Sequence, residues 1–212
     1  MSRERGLTRR GKERHAARRL PAAERRLEIL EAALAVFAAS SYASATTAGI
    51  ARAAGVSEPI LYRHFPSKKT LYIACLEQSW DRLHAAWSEA KVATEPEGWL
   101  AAVSSTTIAL TRGGSVLPPT LWMQAFAEAG SDGELRDAVR RVMSEVHDAV
   151  EETLRDAQRA GVIHADRDPT AEAWVVVSGL LLHTLSARVG GLLGEADTQR
   201  VRAERLRWLK GC

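Results

Sequence analysis

The sequence of 212 residues predicts an all-α protein, and three observations support this prediction. Apolar side chains recur at the i, i+3, i+4 spacing of one helix face through most of the chain. No segment shows the alternating apolar and polar pattern of a half-buried strand, and no internal repeat occurs. Glycines and prolines divide the chain into segments of helical length. These breaks predict eight or nine helices.

The first predicted helix covers roughly residues 22–40 and directly follows Pro21. Its larger apolar residues have the spacing of a single helix face, so we expect that face to pack against other helices. The stripe that we expect to be buried consists of Leu27, Leu30, Leu34 and Phe37. A helix of this length can support the two shorter helices that follow.

Two short helices are predicted next along the chain. Thr46 is a good N-cap for a helix over 47–54, and Gly55 stands where a C′ glycine closes a helix and turns the chain. Ser57 is the predicted N-cap of a third helix over 58–65. Two short helices joined by a glycine-containing turn are typical of a helix-turn-helix, whose second helix enters the major groove of DNA.

The rest of the chain is predicted to consist of longer helices. A fourth helix begins after the N-cap Ser67 and continues to about residue 90. Three more segments with strong helical patterns cover residues 134–160, 169–189 and about 196–209. The helix over 169–189 is apolar on nearly all sides, so it has to be covered on all sides. We expect its own chain to cover one side and a second copy of the chain to cover the other.

Positive charge is concentrated at the start of the chain. Residues 1–69 contain 14 Lys and Arg against 6 Asp and Glu, whereas the remaining residues contain 15 against 20. This asymmetry indicates a polyanionic partner for the first part. Residues 1–20 carry eight basic side chains and little apolar periodicity, which predicts a flexible basic arm. The arm could enter a minor groove, contact phosphates alone, or serve only solubility.

The stretch GVSEPILYRHFPSKK, residues 55–69, contains an aromatic residue and several cationic groups. Lys68 and Lys69 fall in the first turn of the fourth helix, where the helix dipole disfavours cations. Helix stability does not require them, whereas a DNA phosphate at that helix end would. The alternative is a pair of solvated surface lysines. Tyr62, Arg63 and His64 lie on the predicted recognition helix and are candidate DNA contacts.

Patterns typical of enzymes and metal sites are missing. The six histidines are scattered, and the sequence contains no HExxH, GxSxG or phosphate-binding loop. Cys75 and Cys212 are too few for a disulfide framework or a zinc cluster and are typical of a reducing cytosol. The longest apolar run, 173–185, is shorter than a membrane-spanning helix. We therefore expect a cytoplasmic protein that is not an enzyme, with no cofactor, no metal and no membrane segment.

Residues 41–72, SYASATTAGIARAAGVSEPILYRHFPSKKTLY, resemble the DNA-binding signature of the TetR family of bacterial transcriptional regulators. The resemblance extends over roughly residues 24–72 and includes the tyrosine, the paired threonines, AGVS and LYRHFPSK. Ser41 stands where the family usually has glycine, and Gly49 stands at a position that is commonly polar or charged. Gly49 weakens its helix by up to about 1 kcal/mol relative to alanine.

The resemblance implies an all-α homodimer of about nine helices. It implies a helix-turn-helix DNA-binding domain over residues 21–68 and a ligand-binding and dimerisation domain over 69–212. The residues that would contact DNA are Thr46, Thr47, Ser57, Glu58, Pro59, Ile60, Tyr62, Arg63, His64 and Lys68. The two threonines and the lysine would lie near phosphates, and the others would face the groove. The resemblance does not identify an effector.

We expect a ligand-responsive transcriptional repressor that binds a palindromic operator as a homodimer and is released by a small, largely apolar effector. Methionine, aromatic rings and one histidine of the second domain are suited to line an apolar site with a polar end. The candidate ligand contacts are Trp87, Met123, Phe126, Trp174 and His183. The alternative for these side chains is a solid core. The alternative function is an architectural or non-specific DNA-binding protein without an effector, which would show little sequence preference.

Overall fold

The computed structural model describes residues 21–113 and 118–211. The arm predicted over residues 1–20 lies outside the described residues, as does Cys212. Within those two ranges the chain forms nine α-helices, one short 3-10 helix over Pro96–Gly98 and no strand, which confirms the all-α prediction. The α-helices are α1 Ala22–Ala39, α2 Thr47–Ala53, α3 Glu58–His64, α4 Lys68–Val92, α5 Trp99–Gly113, α6 Pro119–Glu128, α7 Gly133–Arg159, α8 Pro169–Arg188 and α9 Glu195–Lys210.

Helix α1 buries one face, although that face is not centred where the sequence pattern placed it. The buried residues of α1 are Ile29, Leu30, Ala33, Leu34 and Phe37. Leu27 is 51% exposed, so its expected burial is wrong. The buried face is centred on Ile29, Ala33 and Phe37, which are four residues apart. Leu27 lies roughly 120° around the helix from Ala33, the middle of that line, because successive residues are about 100° apart.

The predicted turn between α2 and α3 is present. Gly55 has a φ of 65°, which is the left-handed conformation that favours glycine. Val56 N donates to Ala51 O at 2.9 Å and Gly55 N donates to Arg52 O at 3.1 Å, and this pair of bonds defines a Schellman motif. The turn therefore fixes the angle between the two short helices.

Helix caps follow the sequence prediction with one exception. Thr46 Oγ1 accepts from Gly49 N at 3.1 Å, and Ser67 Oγ accepts from Thr70 N at 3.0 Å. Ser57 stands at the N-cap position of α3, but its side chain accepts no capping hydrogen bond. Its backbone carbonyl accepts from Ile60 N and Leu61 N instead.

Helix α4 connects the first three helices to the rest of the chain. Its 25 residues span about 37 Å, and it packs against α1, α5 and α7. Helix α6 also contacts α1, so both α4 and α6 pack against the first helix of the chain. One continuous cluster of buried apolar residues runs from α1 to α8 and includes Leu209 of α9. Each described helix is too short or too polar to span a bilayer.

The last three helices differ in how they bury apolar residues. The apolar residues that recur at helical spacing along α7 are all buried, and they are Leu135, Val139, Val142, Val146, Val150 and Leu154. Helix α8 buries Ala173 and Val177 and exposes much of its remaining apolar surface. Helix α9 is held at its C-terminal end, where His164 N donates to Leu209 O at 2.9 Å and Arg167 Nε donates to Trp208 O at 3.0 Å.

Candidate nucleic-acid interface and apolar cavity

Helix α3 is anchored by its inner face and presents its outer face to solvent. Leu61 is fully buried, and Phe65 directly after the helix is 1% exposed. Tyr62 and Arg63 are exposed, as are Ser57 and Pro59 at the beginning of the helix. Glu58, Ile60 and His64 are half-buried. The structure therefore brings the predicted contacts of α3 to one end of the molecule, together with Thr46 and Thr47 at the start of α2.

A hydrogen-bonded group joins α2 to α3 on this surface. Thr47 Oγ1 donates to Glu58 Oε1 at 2.7 Å, and the Tyr62 hydroxyl oxygen lies 3.1 Å from Thr47 Oγ1. A threonine hydroxyl has a single proton, so when Thr47 donates to Glu58 the Tyr62 hydroxyl is the donor to Thr47. The Tyr62 oxygen then keeps lone pairs that can accept a hydrogen bond from outside. The group fixes the direction of the Tyr62 ring.

Lys68 binds the connection between α1 and α2. Its Nζ donates to Tyr42 O at 2.9 Å and to Ala45 O at 3.2 Å, and it lies 4.6 Å from the centre of the Tyr42 ring. An ammonium group has three protons, so one remains for a phosphate. Lys68 thus holds the turn that positions Thr46 at the start of α2.

Lys69 points to a different part of the molecule. Its Nζ lies 2.8 Å from Asp132 Oδ2 and 3.1 Å from Glu134 Oε2, at the beginning of α7. The hydrogen bonds to Asp132 and then to Glu134 raise the pKa of Lys69, and the bond from Lys69 lowers the pKa of Asp132. The ammonium group of Lys69 therefore joins α4 to α7, and the sequence offered no signal for this pairing across 63 residues.

Gln124 is a structurally important residue that the sequence reasoning missed. It is half-buried on α6, and its Nε2 donates to Ser40 O at 3.0 Å while its Oε1 accepts from Tyr42 N at 2.5 Å. On the same helix, Leu121 O accepts from the buried Tyr72 hydroxyl at 2.6 Å. Helix α6 is therefore attached to the α1–α2 connection and to α4 by directed hydrogen bonds.

A large cavity with a volume of about 250 Å³ lies among α5, α7, α8 and α9. Most of its lining is apolar, as in ligand sites generally. The apolar lining includes Leu100, Val103, Ile108, Val150, Val176, Leu180 and Leu206. The polar side chains that line it are Ser104, Thr153, His183, Thr198, Arg202 and Arg205.

The two arginines of the cavity come from one face of α9. Arg202 donates from its guanidinium to Ser104 Oγ at 3.0 Å, and Arg205 forms an ion pair with Glu172 of α8. Burial lowers the pKa of Arg205, and the nearby charge of Arg167 lowers it further. The sequence reasoning identified α9 only as amphipathic. The spacing of Arg202, Arg205 and Leu209 on one face was the available signal.

The five predicted ligand contacts are not brought together. His183 lines the large cavity. Trp87 is buried, and its indole donates to Thr107 Oγ1 at 2.9 Å beside a second cavity of about 50 Å³. Met123 and Phe126 are half-buried on α6, while Trp174 is 52% exposed and packs on the His147 ring at 4.3 Å. The sequence shows that a residue is aromatic or a methionine, but it does not show which of several cavities the side chain lines.

His147, Asp148 and Glu151 also converge, at the point where α7 meets the beginning of α8. One ligand atom from each lies within 4.8 Å of the other two. His147 Nε2 lies 3.1 Å from Thr170 O, and Glu151 Oε1 accepts from Thr170 Oγ1. These contacts attach α8 to α7 and account for the positions of the histidine and of the glutamate.

Two segments of the chain, one near its beginning and one in its second half, match models of known protein families. Residues 29–75 match the family model described as bacterial regulatory proteins, tetR family. Residues 121–202 match the model described as tetracyclin repressor-like, C-terminal domain. Together the two matches include the helix-turn-helix and most of α6 to α9.

Two curated relatives have different stated roles. The chain is 49% identical over 65 residues to the HTH-type transcriptional activator FasR of Mycolicibacterium smegmatis, a match that covers 31% of this chain and 30% of FasR. It is 29% identical over 136 residues to the nucleoid occlusion factor SlmA of a Marinomonas species, which covers 63% of this chain and 68% of SlmA. The chain thus matches less than a third of the length of FasR.

The fold has close counterparts among solved structures. A TetR-family transcriptional regulator from Agrobacterium tumefaciens superimposes with a TM-score of 0.73 at 19% identity, over 89% of this chain and 99% of that one. At this identity the likeness shows the fold alone. The match over residues 29–75 agrees with the helix-turn-helix geometry of α2 and α3, and the match over residues 121–202 extends the family assignment to the later helices. The chain belongs to the TetR family of bacterial transcriptional regulators.

Proposed function

We propose that this protein is a ligand-responsive transcriptional repressor, which binds a palindromic operator as a homodimer and releases it when a small effector occupies the large cavity. The proposal of DNA binding rests on the exposed outer face of α3. Leu61 is buried on the inner face of this helix, so Tyr62 and Arg63 are directed outward. A helix with one buried and one exposed, polar and cationic face is suited to lie in a major groove.

Each residue of this face has a role that its chemistry supports. The Arg63 guanidinium can donate to guanine edges or to phosphate, and the Tyr62 oxygen can accept from an amino group of a base. Glu58 is held by Thr47, so that its carboxylate is fixed at the N-terminal end of α3, where it could accept from cytosine. Thr46 and the remaining proton of Lys68 can contact phosphates, and such contacts position the protein without reading sequence.

The proposed dimer interface is the exposed apolar face of α8 and α9. Its members are Trp174, Val175, Leu181, Leu182, Leu185 and Val189 of α8 and the turn that follows it, with Val201 and Trp208 of α9. Contiguous apolar surface of this kind marks a site of protein association. A twofold axis through this face would pair two α3 helices, and a twofold protein binds a palindromic site.

The route from the cavity to the DNA-binding surface is proposed to be α4. Thr153 lines the cavity and accepts from Lys91 Nζ at 3.3 Å, and Lys91 also pairs with Asp156. Lys91 is at the end of α4, and Lys68 at its beginning binds the α1–α2 connection. An effector can act on this helix only if it binds the arrangement without DNA more tightly than the arrangement with DNA.

The test is the ratio of operator affinity to random-DNA affinity, with and without Tyr62→Ala and Arg63→Ala. A repressor should prefer its operator by roughly 10³-fold or more, and each substitution should cost about 1–3 kcal/mol per subunit. Arg140→Ala on the exposed face of α7 removes the same charge away from this surface and serves as the control. Unchanged operator affinity in both α3 variants, with folding intact, would contradict the proposed recognition helix.

The second candidate is a DNA-binding protein without an effector, and the match to a nucleoid occlusion factor favours considering it. Both candidates act in the cytoplasm, where bacterial DNA lies. They differ in response to a ligand, because only the first loses operator affinity when the cavity is filled. The relative FasR is named as an activator, so transcription assays with the operator on either side of a promoter are needed to establish repression.

A further inference from the structure

Arg202 lines the large cavity, and the hydrogen bonding of its guanidinium is incomplete. Its guanidinium donates to the neutral Ser104 hydroxyl at 3.0 Å, and its Nε is buried without a hydrogen-bond partner. Arg205, one helical turn further on, already forms an ion pair with Glu172. A half-buried cation beside apolar side chains is unfavourable unless an anion compensates it.

Apart from Arg202, the polar side chains of the lining are Ser104, Thr153, His183, Thr198 and Arg205, and the rest of the lining is apolar. Leu100, Val103 and Ile108 of α5 face Val176 and Leu180 of α8 across the cavity. An occupant that satisfies both parts needs an apolar body and one anionic end. Arginine binds carboxylates through two parallel hydrogen bonds, so a carboxylate is the group that its geometry fits best.

We infer that the effector is an amphipathic monocarboxylate, whose carboxylate pairs with Arg202 and whose apolar body fills the space between α5 and α8. This inference rests on the proposed function only for the word effector; the binding itself does not depend on it. A dry cavity of about 150 Å³ holds benzene, so a cavity of about 250 Å³ suits a body of roughly ten carbon atoms. The cavity lies beside the exposed apolar face of α8 and α9, so a second copy docked there would help to enclose the ligand.

Decanoate is the probe, and decanol and decylamine are the matched ligands of equal length with a neutral and a cationic end. Isothermal titration calorimetry of the wild-type protein is expected to give an affinity for decanoate at least roughly tenfold above that for decanol. The reason is that hydrogen bonds between arginine and a carboxylate are stronger than those between arginine and a neutral hydroxyl. Decylamine should bind more weakly than decanol. Equal affinities for the three ligands would overturn the proposed ion pair with Arg202, and no binding of any of them would overturn the proposed site.

Arg202→Gln is the decisive variant and Arg200→Gln is its control. Both remove one positive charge from α9, but Arg200 is exposed and does not line the cavity. The Arg202 variant should lose the preference for decanoate and keep its affinity for decanol within about threefold, whereas the Arg200 variant should behave as wild type. A preference that survives in the Arg202 variant, or falls equally in both, would contradict the proposed ion pair. Circular dichroism checks that each variant is folded, and the wild-type comparison of three ligands stands without the variants.

The same ligands separate this inference from the proposed function. Operator binding is measured by fluorescence anisotropy with and without decanoate. If decanoate binds with the expected preference and the operator is retained, the assignment of the ligand class holds and the effector role fails. If decanoate binds no better than decanol but an apolar ligand releases the operator, the proposed function holds and the carboxylate inference fails.

Discussion

Gln124 of α6 binds the backbone on both sides of Ser41, accepting from Tyr42 N at 2.5 Å and donating to Ser40 O at 3.0 Å. A single amide side chain therefore satisfies a donor and an acceptor of the connection between α1 and α2. Because α6 also contacts α7 and α8, this residue joins the helix-turn-helix to the helices around the cavities. A movement of α6 would be transmitted to the beginning of α2.

Gln124→Ala should lower the free energy of unfolding by about 1–3 kcal/mol, because it leaves two half-buried backbone groups without partners. It should also weaken operator binding, since the α1–α2 connection positions Thr46. Chemical denaturation and anisotropy measure the two effects. Gln199→Ala on the exposed side of α9, where the amide donates to Glu195, is the control and should change neither quantity. Equal stability of the two variants would show that the Gln124 hydrogen bonds contribute little.

Lys68 and Lys69 should differ in their effect on DNA binding although they are adjacent. Lys68→Ala removes the charge that faces the α1–α2 connection, so affinity should fall for all DNA sequences and the dependence of log K on log salt should become shallower. Lys69→Ala should leave that dependence nearly unchanged, because its ammonium pairs with Asp132 and Glu134. Salt titrations of both variants with operator and random DNA provide the measurement. A larger slope change in the Lys69 variant would reverse these assignments.

The ion pair of Lys69 with Asp132 should make stability depend on pH at both extremes. The pKa of Asp132 is lowered in the folded state, so its contribution is present above the unfolded pKa near 3.8 and is lost as pH falls below it. The pKa of Lys69 is raised, so its contribution is present below about 10.5 and is lost as pH rises further. Denaturation of wild type and of a Lys69→Met, Asp132→Asn double variant should differ by a constant amount between these limits. A difference that instead grows towards low pH would refute the pairing.

Deletion of residues 1–20 should make the salt dependence of DNA binding shallower, because it removes eight basic and two acidic residues per chain. The preferred operator sequence should be largely retained, since the residues proposed to read bases lie on α3. Binding to a panel of operator variants at several salt concentrations gives both results. The arm would be shown not to contact phosphate if the salt dependence of the truncated protein equalled that of the full chain.

Leu185→Glu should yield monomers that no longer bind the operator. Leu185 is 39% exposed on the apolar face of α8 and does not line the large cavity, so the substitution tests association without changing the lining of the cavity. A buried carboxylate at a twofold interface would face its symmetry mate and disfavour the dimer. Analytical ultracentrifugation at micromolar concentration gives the mass. Val92→Glu, at an exposed valine near the end of α4, is the control and should remain dimeric. A monomeric wild type would rule out the proposed interface.

Local chemistry determined the helices and the turn. Thr46 and Ser67 cap their helices, and Gly55 closes α2, because capping and left-handed turns depend on groups within a few residues of each other. The buried face of α7 from Leu135 to Leu154 is also a property of the local sequence. A periodic apolar pattern over 27 residues defines a single apolar face. The TetR-like signature between Tyr42 and Lys68 is likewise a property of the sequence.

Contacts between distant segments were decided by the tertiary structure. Lys69 pairs with Asp132 and Gln124 binds Ser40, although the partners are 63 and 84 residues apart and nothing near either residue marks the other. Leu27 and Trp174 have helical spacing typical of a core but are exposed, because a periodic pattern places residues on a face and the packing of neighbouring helices fixes the edges of that face. Arg202 lines a cavity, whereas Arg200 faces solvent, and only the position of α9 beside α5 distinguishes two arginines that the sequence presents alike.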